Sequence, residues 1–160
     1  MDSKKKSQFI EYFSKGIKNL NQLKIGVEHE RFLFEGENKN RISYETLKKL
    51  FENLKVNGWE PLHEKGNIIG MQRNKQQITT EPGLQCELSG APLKNIHQVC
   101  SESSKFLKEI EIASKGLNVN TVSIGFDPFN NLSDIPQSPK TRYKIMTKEM
   151  PKGGKQSLEM

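Results

Sequence analysis

Cysteine is scarce: Cys86 and Cys100 are the two in the sequence, and they stand neither in a CxxC pair nor at zinc-ligand spacing. That excludes a zinc finger and a dithiol redox motif, and it makes a reducing compartment, the cytoplasm, the expectation. Long apolar runs are lacking too, and no stretch approaches the ~18 residues that cross a bilayer, so no membrane partner is expected. The opening MDSKKKSQFIEYF has no apolar core of signal-peptide type and reads as mature cytosolic protein. A GxxxxGK[ST] phosphate loop is absent. Gly125-Phe126-Asp127 is too short to count as a nucleotide motif, and no Ser/His/Asp order or Cys/His pairing marks a nucleophile. Internal repeats and low-complexity tracts are missing as well.

Apolar residues make up only 33% of the 160, against 28% charged, and the mean hydropathy is −0.72. The length suffices for one domain with a core, but the polarity hints that further chain supplies part of that core. Net charge is 25 − 19 = +6, which first brings nucleic acid to mind. The lysines, however, gather at Lys4, Lys5 and Lys6 and along Lys140, Arg142, Lys144, Lys148, Lys152 and Lys155. No helix-turn-helix, zinc-finger or RNP pattern accompanies them, so nucleic acid is not an expected partner.

Phe9, Ile10, Phe13 and Ile17 recur at helical spacing and predict a short amphipathic helix over 5–19. Alternation predicts a strand over 23–34. Ser43 is an N-cap candidate before Leu47, Leu50, Phe51 and Leu54, a helical stripe that Gly58 closes. Strands are predicted over 59–63, 67–72, 77–80 and 84–88. Lys65-Gly66 and Asn74-Lys75 separate the first three as turns of an antiparallel meander. Ile96, Val99, Phe106, Ile110 and Ala113 predict a long helix over 95–115 ending at Gly116. A strand over 118–126 and a helix over 139–150 follow. The pattern is α+β with a largely antiparallel sheet. It is read as one domain over 1–160, with a leading helix over about 1–22 and the sheet and helices over 23–160.

Within this frame the carboxylates stand out. Glu28 and Glu30 occupy positions i and i+2 of a strand, so both point to one face about 7 Å apart. In LQCEL, Leu84, Cys86 and Leu88 share the apolar face while Gln85 and Glu87 share the other, and Glu81 sits at the rim. Carboxylates converging with no lysine among them cannot all stay ionised unaided. Mg²⁺ resolves such repulsion and keeps water and phosphate as its other ligands. The plainer reading is a solvated strand face. His29 falls with Val27 and Leu33 and is expected to be packed, Cys86 points into the core, and Cys100 is expected to be an unremarkable thiol. The basic run 140–155 is either a phosphate attractor or a solvated helix face.

Four stretches together resemble the plant and proteobacterial type of glutamate–cysteine ligase (γ-glutamylcysteine synthetase): IGVEHERFLFE, KQQITTEPGLQCELSGAPLKNIHQVC, GFDPFNNLSDIP and PKTRYKIMTKEMPKGG. The resemblance implies a glutamine-synthetase-like fold, a curved antiparallel sheet with flanking helices that cradles ATP, glutamate and Mg²⁺. It implies ATP-dependent phosphorylation of the glutamate γ-carboxylate, then attack by the cysteine amine, as the first step of glutathione synthesis. By the same resemblance Glu28, Glu30, Glu81 and Glu87 are metal ligands, Gln85 contacts substrate or metal-bound water, and Arg142 contacts an anionic substrate. Family members usually carry glycine where this chain has Leu84 and an aromatic where it has Cys86. They are also longer, so the chain resembles an N-terminal portion whose partner is the remainder of the enzyme, with an incomplete fold and little or no activity alone. Two other readings stand beside this one: a related ligase with another amine acceptor, and a non-catalytic module that binds metal or a partner.

Overall fold

The computed structural model describes residues 3–154 and 157–158. Helix α1 (Ser3–Lys15) is followed by strand β1 (Glu28–Glu35), strand β2 (Asn40–Arg41) and helix α2 (Tyr44–Leu54). Strands β3 (Glu60–Glu64), β4 (Asn67–Arg73), β5 (Gln76–Thr80) and β6 (Cys86–Ser89) come next. Helix α3 (Ile96–Ser114), strand β7 (Val119–Val122) and helix α4 (Thr141–Glu149) complete the order. The strands form one open, seven-stranded sheet in the order β2-β1-β6-β5-β4-β3, with β7 paired to the second half of β1. Every pairing is antiparallel. The fold is therefore α+β, as the patterning predicts.

Local chemistry sets these elements. The Ser43 hydroxyl accepts from the Thr46 amide at 3.2 Å and caps α2, and the Asn95 side chain does the same for α3 from Gln98 at 3.0 Å. Lys65 and Gly66 both take positive φ, 50° and 82°, the geometry of the two-residue hairpin that joins β3 to β4. Leu47, Leu50, Phe51 and Leu54 of α2 and Phe106, Ile110 and Ala113 of α3 pack with Leu33, Met71, Ile78, Cys86 and Leu88 of the sheet into one core. Trp59 donates from Nε1 to Glu109 at 2.9 Å, and Arg73 donates to the same carboxylate at 2.8 Å, so this buried acid on α3 is paired. His29 is half-buried, 2.9 Å from the Ser103 hydroxyl of α3, a packed histidine as expected.

Four boundaries differ most from the expectation: the helix predicted over 5–19 ends at Lys15, leaving Ile17 outside it, and three strands are shorter than predicted. The first strand begins at Glu28 rather than 23, because before it only Ile25 forms a bridge, to Leu93. Leu84 belongs to a 3₁₀ turn, Pro82–Leu84, so the strand predicted over 84–88 begins at Cys86. β7 ends at Val122 where its register with Phe32 ends, and the chain to Phe126 leaves the sheet. The amphipathic stripe of α1 is exposed, with Phe9 and Phe13 58% and 71% accessible. The side chain of Lys4 and all of Lys155 lie outside the described residues.

Candidate active site

The two helices α2 and α3 cover one face of the sheet, and the other face carries the acids. Alternation in β6 buries Cys86 and Leu88 and turns Glu87 and Ser89 to the open side. Register then sets Glu30 directly opposite Glu87 and Glu28 opposite Ser89, with Thr79 of β5 on the far side of Glu87. Ser89 donates its hydroxyl to Glu87 at 2.8 Å. Partial burial raises the Glu30 carboxyl above the ordinary carboxylate range, and the charges of Glu87, Glu81 and Glu28 raise it further. The structure thus brings all four predicted acids into one electrostatic neighbourhood around Glu30. On the opposite face, burial pushes the Cys86 thiol up to about 12, which leaves it inert. Cys100 is exposed.

The turn between β5 and β6 needs a glycine at position 83. Gly83 has φ +73°, and a Cβ there would lie 2.7 Å from Ile135 Cγ2 and 3.1 Å from Arg41 Nη2. Arg41, buried at the edge of the sheet, donates to the Gly83 carbonyl and pairs with Asp127 at 3.4 Å, its guanidinium 4.5 Å over the Phe32 ring. It staples the turn to the loop after β7. Sequence reasoning missed both Arg41 and Asp127, since an arginine in a two-residue strand carries no periodicity. Next to this turn, Gln85 is 7% exposed, and its Oε1 has no hydrogen-bond partner among the described residues. Glu30, Glu81, Gln85, Arg142 and Tyr143 line one cavity of about 980 Å³.

The expectation of an acidic face free of lysine is corrected here. The start of α4 lies across the rim. Arg142 Nη2 donates to both oxygens of Glu81, at 3.2 and 3.1 Å, and Lys140 Nζ lies 3.5 Å from the same carboxylate. Tyr143 donates its hydroxyl to Glu81, and burial raises that hydroxyl above the usual tyrosine range. Lys140 is 7% exposed; burial lowers its ammonium, and the Glu81 charge opposes that shift. The helix end is fixed by Thr141, whose amide donates to Glu64 at 2.8 Å, and by a 2.8 Å hydrogen bond between Ser138 and Thr80. The basic run therefore divides: Lys140 and Arg142 turn into the site, while Lys144 and Lys148 are exposed.

The donor chemistry of Glu28, Glu30 and Glu87, oxygen throughout, fits a hard divalent cation, and the orphaned Gln85 oxygen adds a neutral acceptor. The arrangement does not. Among the described residues no group of three or more Asp, Glu, His or Cys side chains is placed to hold a metal ion, and Glu81 is engaged by Lys140, Arg142 and Tyr143.

Comparison with known proteins agrees with the sequence motifs. Residues 24–160 match the family described as Glutamate-cysteine ligase family 2 (GCS2). The chain is 39% identical over 156 residues to the chloroplastic glutamate–cysteine ligase of Medicago truncatula, covering 97% of this chain and 31% of that protein. It is 38% identical to the chloroplastic glutamate–cysteine ligase A of Oryza sativa subsp. japonica, covering 97% of this chain and 32% of the relative. The corresponding protein of Arabidopsis thaliana is 37% identical, with 97% and 30% covered. The chain thus spans about a third of the length of these relatives. Their names correct the cytoplasmic expectation: a scarcity of cysteine speaks only of reducing conditions, and the relatives are chloroplastic. With the motif order, the antiparallel sheet and these matches in agreement, the chain belongs to the glutamate–cysteine ligase family.

Proposed function

We propose that this chain forms part of the site of an ATP-dependent ligase that joins glutamate to cysteine. ATP transfers its γ-phosphoryl group to the glutamate γ-carboxylate. The cysteine amine then attacks the acyl phosphate, releasing phosphate and leaving γ-glutamylcysteine and ADP. The observation that carries this reading is the cavity that Glu30 and Glu81 line together with Arg142 and Gln85, with Glu87 opposite Glu30 on the neighbouring strand, in a chain of this family. Arg142, with a 61% exposed side chain, can turn from Glu81 to a substrate carboxylate or phosphate. Gln85 offers a buried amide to a substrate donor. Glu28, Glu30, Glu81 and Glu87 are the residues that would hold Mg²⁺, but only after Glu81 leaves Lys140, Arg142 and Tyr143, since as placed they form no ligand set. The ion would supply charge neutralisation at the phosphoryl group.

We infer that the 160 residues turn over little or nothing alone, their partner being the rest of a ligase chain. The test is γ-glutamylcysteine formation from ATP, glutamate and cysteine. It compares the purified chain by itself with the chain mixed with a polypeptide spanning the part of the Medicago relative outside the match. Product in the mixture only, lost in Glu30→Gln, is the expected result. Product with another amine in place of cysteine moves the reading to a related ligase. The crowding of Glu81 by α4 favours one other reading, a binding module without chemistry: it predicts cation binding and no turnover in the mixture.

A further inference from the structure

The open face carries a second cavity, of about 390 Å³, which shares Glu81 and Arg142 with the first as a common wall. Register explains the space. Leu62, Gly70, Thr79 and Glu87 stand directly opposite one another on β3, β4, β5 and β6. They therefore share the open face, and at Gly70 no side chain rises between Leu62 and Thr79. None can be restored there without a shift, because a Cβ would collide with the Ile78 carbonyl oxygen. Charges of both signs ring this gap: Glu64, Glu81 and Glu87 against Lys140 and Arg142, one more acid than cation. Lys140 is 7% exposed, and its ammonium stands 3.5 Å from Glu81 Oε1. A charge-assisted hydrogen bond is shorter, about 2.7–2.9 Å, so this ammonium keeps donors for a ligand. Its backbone is fixed, because the next amide is bonded to Glu64 and Ser138 is bonded to Thr80. Leu62 and Ile69 make the lining apolar on the β3–β4 side.

We propose that this smaller cavity is the subsite of a zwitterionic α-amino acid with an uncharged side chain, the amine acceptor of the ligation. Lys140 takes its carboxylate, Glu64 and Glu87 take its ammonium, and its side chain lies over Gly70 against Leu62. Buried charges need partners of opposite sign, and a lining of both signs matches a zwitterion at each end. A second carboxylate on the ligand would meet the surplus acid and the apolar wall, so glutamate is disfavoured here. The assignment rests on the ligase reading given above and adds which of the two amino acids enters this cavity. The shared wall then sets the acceptor beside Arg142 and the larger cavity.

Titration of the 160-residue protein with L-α-aminobutyrate, an isostere of cysteine with methyl in place of thiol, tests the inference by heteronuclear NMR. Saturable shifts of the Gly70, Thr79 and Lys140 amides are expected, with L-glutamate binding about tenfold more weakly or worse. Lys140→Met should weaken aminobutyrate by about tenfold or more, the loss of a charge-assisted hydrogen bond, while Lys140→Arg stays within about threefold of wild type. Propylamine, which lacks the carboxylate, should bind Lys140→Met no more weakly than wild type. A purely structural role for Lys140 would weaken both ligands alike, and that result overturns the inference. Leu62→Lys, which puts a cation at the apolar wall, should move the preference toward glutamate by about tenfold. Glutamate shifting these amides at lower concentration than aminobutyrate in the wild type also overturns the inference. So does no response to either amino acid; if the mixture described above still makes γ-glutamylcysteine, the ligase reading stands without this subsite. Lys140-dependent binding of aminobutyrate with no product in the mixture keeps the amino-acid site and removes the ligase reading.

Discussion

Leu84 is fully buried at a backbone φ of 60°, where a side chain ordinarily costs about 1–2 kcal/mol. The family resemblance implies glycine at this point of the turn, so the substitution Leu84→Gly offers the backbone relief. The magnitudes say otherwise. Removing a buried leucine side chain costs about 2–5 kcal/mol, and glycine adds roughly 0.5–1 kcal/mol of unfolded-chain entropy. Leu84→Gly is therefore expected to destabilise the protein by about 2 kcal/mol, read as a lower urea midpoint at constant slope. A higher midpoint would show that backbone strain at this turn outweighs the packing. Gly83, one residue earlier, admits no such exchange, since its Cβ would meet Ile135 and Arg41 at once.

At the scale of elements, α4 is the part of the site least determined by its own sequence. Its first turn is held by Glu64 on β3, whose carboxyl the Thr141 hydrogen bonds draw below the ordinary range. A depressed folded-state pKa contributes stability that is present above the unfolded value of about 4.3 and is lost as pH falls through the folded value. Exchange of the Thr141–Tyr143 amides, corrected for intrinsic rate, should therefore accelerate as pH drops below about 4.3. Glu64→Gln should abolish that acid dependence; an acid dependence that survives the substitution would place the restraint elsewhere. The same helix shows where sequence reading stops. Strand alternation and helix stripes found each core element, because a period of two or of 3.6 is written locally. They also put Glu28 with Glu30 and Cys86 with Leu88 on the correct sides. They could not bring Arg142 to Glu81 across 61 residues, or Arg41 to Asp127 across 86. Such pairs are made by the packing of whole elements and leave no spacing behind.

The molecule as a whole separates stability from chemistry across the thickness of one sheet, and β6 shows it in adjacent residues. Leu88 is fully buried among α2, α3 and the neighbouring strands; Glu87 faces Glu30 across the ladder on the open side. Truncating Leu88 to alanine should cost about 2–5 kcal/mol through lost packing and the cavity left behind. Neutralising Glu87 should act in the opposite sense. Like charges directly opposite each other on antiparallel strands are destabilising by about 0.2–1 kcal/mol. The amide oxygen of glutamine can still accept the Ser89 hydroxyl, so no donor is orphaned. Glu87→Gln is accordingly expected to raise the urea midpoint slightly at low ionic strength, with the gain shrinking as salt screens the pair. If the open face is built for a cation, the same substitution that stabilises the fold should weaken Mn²⁺ binding, whereas Leu88→Ala should leave binding unchanged in the fraction that remains folded. Repulsion retained at some expense of stability is the mark of a face kept for a ligand. A loss of both stability and Mn²⁺ affinity in Glu87→Gln would instead make Glu87 part of the scaffold.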